Sequence, residues 1–66
     1  MTKTELIKEL EEIVKDDQGL DPVGFFDRVC RSIKNNGAER TASTDIYNLP
    51  LEFVLKVEQW LKKAVL

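Results

Sequence analysis

The apolar positions of this chain fall into three helical patterns separated by polar breaks. Leu6, Ile7, Leu10, Ile13 and Val14 stand at i, i+1, i+4, i+7 and i+8, which on a helix makes one stripe. Glu5, Lys8, Glu9, Glu12 and Lys15 take the opposite side. Thr2 and Glu5 form a capping-box pattern at its start, and Gly19 in "DDQG" offers a left-handed stop. A second pattern runs through Phe25, Phe26, Val29, Cys30 and Ile33. Asp21-Pro22 opens it, an N-cap followed by a proline at the first helical position, and Asn36 or Gly37 closes it.

The third pattern starts at Pro50 and runs to about residue 65. Phe53, Val54, Val57, Trp60, Leu61, Ala64 and Val65 fill one broad arc at 100° per residue. Glu52, Lys56, Gln59 and Lys63 lie opposite. Leu51, Leu55 and Leu66 fall outside the arc, beyond Glu58 and Lys62, so the apolar surface is wider than one core contact needs. Either this helix is central and covered on several sides, or part of it faces a partner, including a second copy in a homodimer through the C-terminal helix.

The expected fold is therefore all-α: a single domain over residues 1–66, built as a bundle of three long helices. A short helical turn is expected at 43–49, capped by Ser43 or Thr44, with a strand there the lesser alternative. Ile46 and Leu49 would anchor that turn inward and leave Tyr47, the single tyrosine, pointing out. A plain connector would also satisfy these turn-forming residues.

Charge and composition narrow the chemistry. Of 66 residues 42% are hydrophobic and 33% charged, which is normal for a globular domain, and the net charge of −2 gives no overall field to attract nucleic acid. Residues 1–17 are net acidic, and residues 18–37 are slightly basic through Arg28, Arg31 and Lys34. Asp16 and Asp17 oppose the dipole at the end of the first helix, as a solvated helix end or as an acidic contact for a basic partner. There is no His, and the glycines are isolated at 19, 24 and 37, so the usual general base and the phosphate-cradling loop are both missing. Adjacent acids such as Glu11 and Glu12 point about 100° apart on a helix and do not share a proton or a metal. These features point away from an enzyme and give no reason to expect a cofactor or metal. One cysteine, Cys30, cannot form an internal disulfide and reads as a small core hydrophobe. No apolar run reaches the roughly 20 residues of a membrane span. With an amphipathic start unlike a leader, a cytoplasmic protein is expected.

Two stretches resemble known families. "DIYNLPLEFVLKVEQWL" has the outline of the strand and first helix of ribbon-helix-helix DNA binders, although the second helix of that family has no counterpart here. Thr44, Asp45, Ile46 and Tyr47, followed by Pro50, Phe53, Val54, Val57 and Trp60, resemble the third and fourth helices of the immunity proteins that neutralise colicin-type and pyocin-type nucleases. "TELIKELEEIVKD" is similar to the first helix of that family. The chain departs from it in having one tyrosine where the family has a pair, and a second helix that is basic rather than acidic. The resemblance implies a four-helix fold and a protein partner bound around Asp45 and Tyr47. An exposed tyrosine on a rigid turn is also what interface hot spots favour. The expected partner-binding residues are thus Asp45 and Tyr47, with Arg40, Leu51 and Leu55 around them. The expected function is a small protein-binding factor of inhibitor, immunity or adaptor type, of a size that would suit a phage or mobile element. The alternative is a small nucleic-acid-binding or transcription-regulatory protein, using Arg28, Arg31, Lys34 and Arg40.

Overall fold

The N-cap half of the expected capping box forms at the start of α1 (Lys3–Ile13), while the carboxylate does not reach the Thr2 amide, in the computed structural model, which describes residues 2–17, 19–43 and 47–64, with residue 64 by backbone only. The Glu5 N–H donates to the Thr2 hydroxyl oxygen at 3.2 Å, and that hydroxyl donates in turn to the Glu5 carboxylate. The C-terminal end departs from expectation. The helix stops at Ile13, well before Gly19, and leaves through Val14 (φ −106°, ψ 19°). Two turn bonds, Asp17 N–H to Val14 O and Leu20 N–H to Asp17 O, then carry the chain toward α2. The helix stops early because the sequence beyond Val14 has nothing to bury: Lys15, Asp16 and Asp17 are all exposed.

Helix α2 (Pro22–Asn36) opens on Asp21, whose carboxylate accepts the Val23 N–H at 3.2 Å, with Pro22 in the first turn where its missing N–H costs nothing. It ends at Gly37, which has φ 90° and ψ 163°, a conformation essentially reserved for glycine. The Gly37 N–H closes α2 on Ile33 O. Its carbonyl starts the next helix by accepting both the N–H and the hydroxyl of Thr41, at 3.2 and 2.9 Å.

That next helix, α3 (Ala38–Ser43), is where the structure corrects the sequence reading. The short element exists but lies upstream of the expected turn at 43–49. Ser43 is its last residue, 44–46 lie outside the described residues, and 47–50 are not helical. The physical reason is that "AERTAS" directly follows a glycine that reverses the chain, and it buries small residues one turn apart, Ala38 and Thr41. Thr41 is wholly buried, and its hydroxyl, besides the bond to Gly37, lies 2.8 Å from Ser32 Oγ on α2.

Helix α4 (Leu51–Ala64) begins just after Pro50, whose carbonyl accepts the N–H groups of Phe53 and Val54. Helix α3 packs on both α2 and α4, which also meet each other directly, and α1 packs on α2. Among the described residues no strand is present, and the fold is the small all-α bundle expected. The core joins Leu6 and Leu10 of α1 to Phe25, Phe26, Val29 and Ile33 of α2, and to Phe53, Val54, Val57 and Leu61 of α4, with Ala38 and Leu49 sealing one side. Trp60 sits at the rim. It is half-buried, with its ring edge-on to Phe26 at 5.8 Å between centroids. Cys30 is likewise half-buried against the core. Outside the core, Lys56 Nζ reaches Glu9 Oε1 at 2.9 Å and ties α4 to α1. Both side chains are largely solvated, so this pair is worth at most about 1 kcal/mol.

Replacing Gly37 tests the corner between α2 and α3. A Cβ there would meet no atom within 4 Å, so the cost is backbone strain alone. Gly37→Ala should destabilise by about 1–3 kcal/mol, read as a lower urea midpoint with an unchanged slope. A midpoint equal to wild type would mean that the corner relaxes freely.

Candidate functional site

The chain carries two surfaces with the character of a binding site. The first lies on α4. Leu51 and Leu55, which the sequence set outside the core arc, are 44% and 39% exposed one turn apart. Glu58 and Lys62 continue the same stripe and face each other at 3.9 Å. Next to Leu51 runs a shallow cleft of about 330 Å³ between the end of α3 and the start of α4, lined by Glu39, Ala42, Ser43, Leu49 and Leu51. Both leucines are exposed because the inward side of α4 is already filled by Phe53, Val54, Val57 and Leu61, and α3 is too short to reach round the helix. Leu66, the third leucine outside the arc, lies beyond the described residues.

The second surface lies where the turn after α1 meets the start of α2 and the segment before α4. Ile13, Val14, Leu20, Phe25 and Tyr47 line an open groove of about 500 Å³, with Asp16, Asp17 and Asn48 on its margin. Tyr47 departs from expectation. Its ring is half-buried and lies 5.7 Å from that of Phe25, tilted by 30°, so it forms a wall of the groove rather than a free projection. The reason is the next residue: Asn48 takes a left-handed φ of 46°, a conformation asparagine tolerates, and the chain turns back there so that Leu49 is buried. Sequence reasoning selected Tyr47 but missed the groove. Asp16, Asp17 and Tyr47 are thirty residues apart in sequence, and the one visible signal was two acids opposing a helix dipole.

Of the other candidates, Arg40 is exposed on α3, and Asp45 lies outside the described residues, as does Ile46, its neighbour. The structure therefore brings Leu51 to the α3 cleft and Tyr47 to the groove. Of the five expected residues, the four described ones, Arg40, Tyr47, Leu51 and Leu55, do not gather at one point. Arg28, Arg31 and Lys34 are exposed along α2. Asp27, among them, lies 3.9 Å from Lys3 of α1. The Cys30 thiol is pushed above its ordinary range by burial first and by nearby Asp27 second, with Lys3 and Lys34 pulling weakly the other way. A thiol so placed is a poor nucleophile near neutral pH. Among the described residues no group of three His, Cys, Asp or Glu could hold a metal, and no helix is long and apolar enough to cross a membrane.

The contact with Phe25 makes a clear prediction for Tyr47. Tyr47→Phe keeps the ring pair and should leave stability nearly unchanged. Tyr47→Ala removes a half-buried ring and should cost about 1–2 kcal/mol, measured by urea unfolding. Equal midpoints for the two variants would place the ring free in solvent, as first expected from the sequence. Compared with protein-family models, with curated proteins and with solved structures, the chain matches none.

Proposed function

We propose that the protein is a small binding module that docks onto another protein, an inhibitor, immunity or adaptor factor rather than a catalyst. The observation that carries this reading is the exposed pair Leu51 and Leu55 on α4, beside the cleft lined by Leu49 and Ala42. Apolar side chains placed together at a surface and rimmed by charge, here Glu39, Glu58 and Lys62, mark interaction sites more often than isolated exposed leucines do. Rotating α4 slightly would bury them only by exposing the core arc.

Size bears on the kind of partner. The two leucines expose roughly 160 Å², against about 800 Å² contributed by each side of a standard interface. The leucine pair is therefore the apolar centre of a larger footprint, with the polar face of α3, including Arg40, supplying the rim. A homodimer through α4 is the competing occupant. The likeness of residues 44–60 to immunity proteins supports an inhibitor of another protein over self-association, because it draws on the same segment.

The test is the double variant Leu51→Lys/Leu55→Lys. Both positions are exposed, so its melting temperature should stay within about 3 °C of wild type. Capture experiments with tagged protein in extracts of its native source should lose the proteins that wild type enriches. Sedimentation over a wide concentration range should show a monomer for both forms. Unchanged capture by the variant would move the interface elsewhere, and a wild-type dimer abolished by the substitutions would make the partner a second copy.

A further inference from the structure

We infer that the groove between the end of α1 and Tyr47 receives a cationic side chain, a lysine or arginine flanked by apolar residues, presented by a partner polypeptide. This rests on the reading of the protein as a binding module but uses a surface distinct from Leu51 and Leu55. The floor is apolar and aromatic, built from Ile13, Val14, Leu20 and the tilted ring pair Phe25 and Tyr47. The margin is acidic, from Asp16 and Asp17. A long aliphatic stem with a charged end matches that combination, since the stem lies along apolar surface while the head stays near water and carboxylate.

Charge complementarity is what commits the groove to a cation. The last turn of α1 carries no basic residue, and its carbonyl end already bears partial negative charge. Asp16 and Asp17 add two carboxylates to that end, and no described residue pairs with either. Lys15 is the one basic residue between Val14 and Asp21, and it is exposed and not among the groove's lining residues. Nearby Asp21 is already engaged in capping α2 through Val23. The isolated chain therefore holds an arrangement that works against its own helix and that a bound cation would relieve. Local rules broken without compensation are expected where a protein binds. The groove is large enough for a small ligand, at about 500 Å³, but it is open along one side. A free amine would leave much of itself in water there, whereas a side chain carried on a polypeptide brings backbone and neighbours to cover the opening.

The experiment is an amide-resolved NMR titration of the full-length labelled protein with three acetylated, amidated peptides of sequence Gly-Leu-X-Leu-Gly, where X is lysine, norleucine or glutamate. Cadaverine serves as the free-amine control. The lysine peptide should shift the amides of Asp16, Asp17, Leu20, Tyr47 and Asn48 saturably, and added salt should weaken it severalfold. Asp16→Asn/Asp17→Asn should weaken it at least about tenfold while its melting temperature stays equal to or above wild type, because the helix end loses its opposing charge. Leu51→Lys/Leu55→Lys should bind the lysine peptide as wild type does, which separates this site from the α4 surface. Equal binding of the norleucine peptide would overturn the proposal, and so would cadaverine saturating at the same concentration as the lysine peptide. Absence of any shift in the groove up to about 10 mM peptide would also overturn it.

Discussion

Everything in this small bundle depends on the corner at Gly37, where a buried threonine hydroxyl ties two helices to the turn between them. The Thr41 side chain has no exposure at all, yet its hydroxyl is satisfied twice, by the Gly37 carbonyl and by Ser32. A buried hydroxyl without partners would cost about 1–3 kcal/mol, a large share of the stability of a 66-residue chain. Satisfied, it specifies one geometry. Helix α2 must stop where Gly37 can adopt φ 90°, and α3 must fold back so that Thr41 reaches Ser32. The narrow step from Ala38 to Thr41 then lets α3 pack on both α2 and α4, where a larger side chain would hold the helices apart.

The two candidate surfaces follow from that corner. Because α3 is only six residues long, it covers one side of α4 and leaves Leu51 and Leu55 uncovered. A short passage, residues 47–50, leads into α4. There the left-handed Asn48 turns it inward and lays Tyr47 against Phe25. The groove is the space left between that passage and the early end of α1. Neither surface is a defect of packing: within the core Phe26, Val54 and Val57 are fully buried.

Much of this was legible in the chain. The starts of α1, α2 and α4 were marked by Thr2 with Glu5, Asp21 with Pro22, and Pro50, each a cap or stop whose hydrogen bonding is local. The misplaced element was α3. Its buried residues, Ala38 and Thr41, are small and polar enough to read as a connector, and the signal that makes them core is a hydroxyl bond to Ser32, nine residues away. Tyr47 was read as outward because period alone decides which side of a turn faces in, whereas its true neighbour Phe25 comes from another helix. The helical wheel alone placed Leu51 and Leu55 outside the core arc, and both are exposed, but it left open whether neighbouring elements would cover them. Local chemistry reads well from sequence; juxtapositions across thirty residues do not.

The claim that the Gly37–Thr41–Ser32 corner is part of the cooperative core is tested most directly by native-state hydrogen exchange. The Thr41 amide, bonded to the Gly37 carbonyl, should exchange only through global unfolding, with the same free energy as the amides of Val54 and Val57, whose side chains are fully buried in α4. Exchange of Thr41 through a local opening several kcal/mol cheaper than that of Val54 would contradict the account, because α3 would then fray from the bundle and could not be what positions α4.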